Sequence, residues 1–321
     1  MWATASFFFF ICGKMGLTFE TKISIIKNDE KKGESNVVAD RTGKEVPCNT
    51  DGEAFLRFLY RNAAGRVLLK LFCSKPVSVL VGGFMNSRLS AFKVKKSLRT
   101  FDVDLSELET QKFPCYNAFF TRKKKKDCLH FDPDENVFCA PADSKLTVFP
   151  LTENGTFAVK GVPYDLSTLL GSEEDASAFC GGYAFVFRLS VDDYHRYSYF
   201  DDGKELSHRY IKGEFHTVNP IALEKLPVFH RNAREVTLLS TAHFGKAAFI
   251  EVGAMLVGKI VNDHRETFAR GEEKGYFEFG GSTVVVLCGA DKVLPDPDVL
   301  QNSKNDIETR VRLGERVGEK A

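Results

Sequence analysis

The sequence has almost no net charge: 44 Lys and Arg stand against 43 Asp and Glu, which removes the electrostatic ground for a nucleic-acid partner. Nor is there a CxxC pair or a matching CxxH spacing among Cys12, Cys48, Cys73, Cys115, Cys128, Cys139, Cys180 and Cys288, so cysteine spacing predicts no metal. A chain of 321 residues with 43% hydrophobic content buries a core without covalent staples, and reduced thiols are expected rather than disulfides. The apolar stretch between Met1 and Leu17 falls short of the ~20 residues that cross a bilayer. It also lacks the positive charge that precedes a secretory apolar run. An interfacial anchor and a processed leader both stay open for it. There is no GxGxxG dinucleotide loop, no P-loop and no internal repeat. Asn154-Gly155-Thr156 is a formal glycosylation sequon, a triplet common by chance and meaningful only in a secretory lumen.

What is present falls into three stretches. Residues 1–52 read as an extension, polar after the apolar leader, with one strand-like segment at Lys22 to Ile26. From Glu53 the apolar residues Phe55, Leu56, Leu59, Tyr60, Val67, Leu68, Leu71 and Phe72 recur every three or four positions, the period of amphipathic helix. Gly65 and Pro76 punctuate them, and Arg57, Arg61, Arg66 and Lys70 supply a basic side. A further apolar run, Val77 to Phe84, leads to the basic residues Arg88, Lys93, Lys95, Lys96 and Arg99. Such a segment, 53–118, suits either a cap on its own domain or an anionic bilayer surface. The run Lys123 to Lys126 suits either a solvated loop or lipid phosphates. From 119 to 321 short apolar runs broken by glycine predict strands at Lys145 to Val148, Tyr183 to Leu189, Glu235 to Leu239, Ala247 to Val252 and Thr283 to Leu287. The polar tail from Pro295 is expected to be partly ordered by Ile307, Val311, Leu313 and Val317. The expected class is α+β: N-terminal amphipathic helices, then a β-rich domain of sandwich or barrel type.

Three places gather polar residues in apolar surroundings: Asp143 after Pro141-Ala142, His195 within Asp193-Tyr194-His195-Arg196-Tyr197, and Ser282 after Gly280-Gly281. Singly they read as a turn former, a satisfied histidine and a tight turn. Together they supply the acid, the imidazole and the hydroxyl that activation of a nucleophile requires. Two glycines ahead of Ser282 permit a positive-φ backbone that brings a hydroxyl onto its own preceding carbonyl. The Gly-x-Ser-x-Gly elbow of ordinary hydrolases is absent, because Thr283, Val284 and Val285 follow Ser282.

In its ordered series of motifs the sequence resembles the phosphatidylserine decarboxylase family, from about Phe119 to Val317. The motifs are Phe119-Phe120-Thr121-Arg122; Pro141-Ala142-Asp143 with Ser144 where the family has glycine; Asp193-Tyr194-His195-Arg196-Tyr197; and His216-Thr217-Val218-Asn219-Pro220. Val252-Gly253-Ala254 with Val257-Gly258 follows, then Lys274-Gly275-Tyr276-Phe277 and Gly280-Gly281-Ser282-Thr283. Many bacterial members carry a second histidine three residues after the first; Ser198 stands there, a variation shared with other Gly-Gly-Ser-Thr members.

The resemblance implies a precursor in which His195, held by Asp143, takes the Ser282 proton, with His216 in reserve. The chain would split between Gly281 and Ser282 into 1–281 and 282–321, and Ser282 would become a covalent pyruvoyl cofactor. Through a Schiff base with that group, phosphatidylserine would lose CO2 to give phosphatidylethanolamine. It further implies a homodimer of processed protomers bound peripherally to an anionic membrane surface, with Phe55, Leu59 and Phe72 inserted in lipid. No compartment is indicated. Two alternatives are a catalytically inactive lipid-binding relative and a pyruvoyl decarboxylase of a soluble amino acid.

Overall fold

The computed structural model describes residues 37–47, 52–101, 103–255, 259–280 and 282–321. Lys22 to Ile26, Met1 to Leu17, Val257-Gly258, Gly281, Cys12 and Cys48 lie outside the described residues. After a short strand, Val38–Ala39, come five α-helices: α1 (Glu53–Arg61), α2 (Ala63–Phe72), α3 (Lys75–Asn86), α4 (Phe92–Thr100) and the single turn α5 (Tyr116–Phe120). The α1–α2 break falls at Asn62, not at Gly65. Asn62 has extended backbone and its side chain accepts from the Ala64 amide, as an N-cap does. Gly65 instead sits inside α2, where a Cβ would lie 2.0 Å from the Phe58 carbonyl oxygen, so only glycine lets α1 and α2 approach there. Pro76 occupies the first turn of α3, where a missing N–H costs nothing.

A nine-stranded sheet forms the body of the protein. Its middle strand, Ser282–Cys288, is antiparallel to Tyr183–Leu189 on one side and Gly245–Val252 on the other. All seven residues of that strand are buried, which is why it reads as a continuous apolar run. Beyond Tyr183–Leu189 come Ser144–Pro150, Glu308–Val311 and the edge strand Val38–Ala39; beyond Gly245–Val252 come Arg234–Thr241, Gly203–Ile211 and Thr267–Phe268. Among the described residues the two edge strands do not pair, so the sheet stays open. The architecture is the expected α+β class, with helices first and a β-rich body after them.

Both ends of the described part of the chain are more structured than their composition suggests. Val38–Ala39 pairs in parallel with Glu308–Val311, and Arg41 donates to Asp296 at 2.8 Å. The polar tail folds throughout: helix Pro297–Lys304 lies over Ser144–Pro150 and is followed by strands Glu308–Val311 and Arg316–Lys320. Six cysteines, Cys73, Cys115, Cys128, Cys139, Cys180 and Cys288, are free.

The helices meet the body through two apolar clusters. Leu59, Tyr60, Leu69 and Phe72 from α1 and α2 join the main core, while Val81, Met85 and Val94 pack with Tyr116, Phe119 and Phe120 of α5. Leu59 is 0% and Phe72 3% exposed, and Phe55 packs edge-on against Phe72 at 5.7 Å. These three residues therefore face the protein, contrary to the expectation that they insert into lipid. A different stripe points outward: Val67, Leu80, Leu89 and Phe92 are 73%, 73%, 75% and 66% exposed. Among the described residues no single helix is long and apolar enough to cross a membrane, and α2 and α3 meet at a 65° bend.

Candidate functional site

Two of the sequence motifs clasp each other through main-chain carbonyls. Arg122, just past α5, donates to the carbonyls of Asp192 at 3.2 Å and Asp193 at 2.9 Å. Arg196 returns the contact, donating from Nε to the carbonyls of Thr121 at 2.9 Å and Arg122 at 3.3 Å. The Lys124 amide donates to the Tyr194 hydroxyl at 3.1 Å. Lys145 closes the base, with Nζ 2.7 and 2.8 Å from the two Asp193 carboxylate oxygens. Burial pushes the Asp193 carboxyl up to about 6 against the pull of Lys145.

This clasp fixes the imidazole. His195 is fully buried, and its Nδ1 lies 2.9 Å from the Asp193 carbonyl oxygen. A carbonyl only accepts, so Nδ1 carries the proton and Nε2 is left with a bare lone pair. The Phe120 ring lies over the imidazole with centroids 3.8 Å apart. Burial first, and then the Arg122 charge, hold His195 well below the usual imidazole range, so it is a neutral base at pH 7.

Ser282 opens the central strand, fully buried, and its Oγ has no hydrogen-bond partner; the same is true of His195 Nε2. Each such orphan costs roughly 1–3 kcal/mol. The approach to Ser282 is held from both sides. The Phe277 amide donates to the His195 carbonyl at 3.0 Å, and the Phe279 amide donates to Asn117 Oδ1 at 2.9 Å. Phe120 touches both partners, since its ring also meets Phe279 at 5.4 Å. Gly280 has φ 134°, the positive-φ geometry expected from the glycines before the serine.

Asp143 is held differently from the expectation that it orients His195. Its Oδ1 accepts the Leu313 amide at 2.7 Å and its Oδ2 lies 3.9 Å from Lys124 Nζ, so it caps the turn after Glu308–Val311. Its segment still reaches the histidine motif, because the Ser198 amide donates to the Pro141 carbonyl at 2.9 Å. Asp143 is also the first opposing charge acting on Arg122. His216 has both ring nitrogens engaged, Nδ1 with the Tyr60 hydroxyl at 3.0 Å and Nε2 with Glu214 at 2.6 Å. It joins α1 to the body. Of the lysine run, Lys123 pairs with Glu109 and Lys124 with Glu107 at 3.6 and 3.2 Å, so these two charges turn toward the protein's own acids. Asn117 and the Asp193 carbonyl escape a reading of the sequence: a main-chain oxygen has no letter of its own, and Asn117 precedes the Phe-Phe-Thr-Arg motif.

The family model for phosphatidylserine decarboxylase matches residues 116–319. A relative from Clostridium acetobutylicum, phosphatidylserine decarboxylase proenzyme 2, is 40% identical over 265 residues, covering 82% of this chain and 91% of its own length. The phosphatidylserine decarboxylase proenzyme of Ruminiclostridium cellulolyticum is 38% identical over 83% of this chain and 91% of its own length. That of Clostridium botulinum is 38% identical over 83% of this chain and 93% of its own length. The chain belongs to the phosphatidylserine decarboxylase family. The matched span opens with α5, whose Phe120 covers the imidazole. It also contains Asp143, His195, His216 and Ser282, so the whole clasp lies in the part this phosphatidylserine decarboxylase relative shares with the family.

Proposed function

We propose that the chain is a phosphatidylserine decarboxylase precursor that cuts itself between Gly281 and Ser282. The observations that carry this reading are two buried, unpartnered atoms, Ser282 Oγ and Nε2 of a neutral His195 imidazole whose tautomer a carbonyl fixes, on segments joined by the Phe277 amide and the His195 carbonyl. His195 Nε2 takes the Ser282 proton and Oγ attacks the Gly281 carbonyl carbon, so an ester replaces the peptide bond. Elimination then releases the ester as the Gly281 carboxylate and leaves a dehydroalanine at 282. Tautomerisation and addition of water with loss of ammonia give a pyruvoyl group. Asn117 and the His195 carbonyl hold the incoming strand while this happens, and Phe120 keeps water from the imidazole. Asp143 offsets the Arg122 charge that otherwise opposes the imidazolium formed on proton transfer.

The surroundings of Ser282 suit such a group: a buried position at the start of the central strand, reached by a segment whose Phe277 amide is bonded to the His195 carbonyl. A pyruvoyl carbonyl there supplies the electron sink for decarboxylation of an amine-bearing substrate. A cavity of about 590 Å³ lies on the Asp192-Asp193-Tyr194 side of the clasp, outside Ser282 and His195, lined by Arg122, Lys124, Lys145 and Arg312 and by the acids Asp104, Glu107, Asp143, Asp192 and Asp193. Charges of both signs match a head group that bears phosphate, carboxylate and ammonium.

We read 53–118 as the membrane-docking part and 119–321 as the catalytic part, with peripheral attachment to an anionic bilayer. Supporting this, no Asp or Glu occurs between Ala54 and Phe101, and the exposed apolar residues of α2 to α4 are interspersed with exposed Arg66, Lys70, Arg88, Lys95, Lys96 and Arg99. Four exposed apolar side chains buried in lipid, at roughly 1.5–3 kcal/mol each, exceed what any one salt bridge at a surface provides. Replacing Val67, Leu80, Leu89 and Phe92 together with Ser is expected to weaken binding to anionic vesicles at least tenfold while self-cleavage continues. Unchanged sedimentation with vesicles would refute the docking face. The substrate class is tested by CO2 release from vesicle phosphatidylserine against free serine. Release from the lipid alone is expected; release from serine alone would favour a soluble amino acid as substrate.

A further inference from the structure

On the strand Gly203–Ile211, three positions across the sheet from Ser282–Cys288 and so roughly 14 Å away at ordinary strand spacing, a second group of chemically active side chains converges. Glu205 and His208 are three residues apart, a spacing that puts side chains on opposite faces of a regular strand. Here the register shifts between Glu205 and Ser207, with Glu205 opposite Leu239 and Ser207 opposite Leu238. The extra residue of this bulge turns Glu205 and His208 to the same side. The loop after Ile260–Asn262 brings His264 over them: the Glu205 amide donates to the Glu266 carbonyl at 3.2 Å, and the His208 and His264 rings stack with centroids 3.7 Å apart.

From this geometry we propose that Glu205, His208 and His264 form a binding site for a zinc-type divalent transition-metal ion. One carboxylate oxygen and two imidazole nitrogens, with a coordination position left over, are a donor set such ions take. Ligand atoms from the three side chains all lie within 4.8 Å of one another. Two bonds of about 2.1 Å at a tetrahedral angle separate donor atoms by about 3.4 Å. Glu205 Oε2 is already 3.3 Å from His264 Nδ1 and 4.0 Å from His208 Nδ1. His208 is half exposed, free to swing the remaining few tenths of an ångström.

What distinguishes this group from a chance surface cluster is the layer behind it. The Glu205 side chain is only 7% exposed, and its Oε1 accepts the Tyr199 hydroxyl at 2.6 Å, which leaves Oε2 aimed at the two imidazoles. His264 Nε2 lies 2.9 Å from Glu235 Oε1. Without an ion His264 Nδ1 donates to Glu205 Oε2 at 3.3 Å and Glu235 Oε1 accepts no hydrogen bond; an ion takes the place of that Nδ1 proton, and the proton then sits on Nε2 beside Glu235, the carboxylate–histidine arrangement that orients metal-binding imidazoles. Cysteine spacing gave no sign of this site because its ligands come from positions 205, 208 and 264.

The test uses the full chain, stripped with a chelator and titrated with Zn2+ by calorimetry, then with Co2+ to read the visible absorption of a bound ion. One equivalent that binds to the wild type and raises its thermal midpoint is expected. Binding should weaken at least a hundredfold in His208→Ala/His264→Ala and about tenfold in Glu235→Gln. The double variant keeps its fold by circular dichroism, since neither ring is in the core. Free cysteines are a rival source of metal ligands, so binding that persists in the double variant overturns the site, as does no binding to the wild type. The readout is independent of self-cleavage and can be repeated in Ser282→Ala.

Discussion

Ser282→Ala is expected to yield one uncut chain with no decarboxylase activity, while its thermal midpoint stays equal to the wild-type precursor's or rises. The first half follows from chemistry: without Oγ there is nothing to attack the Gly281 carbonyl and nothing to convert to a carbonyl cofactor. The second half follows from structure. Ser282 Oγ is buried and makes no hydrogen bond, so its removal deletes no interaction and relieves a desolvated polar group worth roughly 1–3 kcal/mol. Stability and function thus part company at one atom. A Ser282→Ala protein that still appears as two chains on a denaturing gel would remove Ser282 from the mechanism.

His195→Gln is expected to slow self-cleavage by about 10²–10⁴-fold, the usual share of a positioned general base. Glutamine preserves much of the volume under Phe120 and can donate to the Asp193 carbonyl, but its amide oxygen is too weak a base to take a serine proton. His195→Ala should behave alike, and efficient cleavage in either variant would sink the assignment. Asp143→Ala should also leave uncut chain, by a smaller factor than either, because Asp143 acts on His195 only through the Arg122 charge. The pH profile provides a second reading of the same residue. Burial and Arg122 lower the His195 pKa, so the imidazole stays neutral as pH falls through 6.5, where a solvated histidine is half protonated. Cleavage rates in the wild type should therefore hold level from pH 8 through 6.5 and decline only below. A midpoint at 6.5 would mean that His195 is solvated or is not the base.

Much of this was legible in the residues. The five strands predicted from Lys145 to Leu287 appear with ends moved by no more than two residues, because short apolar runs bounded by glycine report burial directly. Positive φ at Gly280 followed from the glycine pair. Other features depend on contacts that no local pattern encodes. Helices α1 and α2 are apolar on more than one side, so periodicity shows an apolar stripe without telling which stripe meets the core; Leu59 and Phe72 face it and Val67 does not. The tail after Pro295 looks polar because Glu308 is charged, yet Glu308 is buried against Arg188 across the sheet. A fully buried Lys274–Glu251 pair at 2.6 Å likewise interrupts sequence hydrophobicity at the centre of the fold. The group that orients His195 is a main-chain carbonyl, which no residue letter distinguishes, whereas a carboxylate partner would be visible as Asp or Glu.

The intact mass of the purified protein under denaturing conditions tests self-cleavage at Ser282 most directly. The expected result is two chains, one ending at Gly281 and one beginning at residue 282, the smaller lighter than its serine form by the difference between serine and a pyruvoyl group. A single uncut chain with an ordinary serine at 282 would contradict it and make an inactive lipid-binding relative the better description.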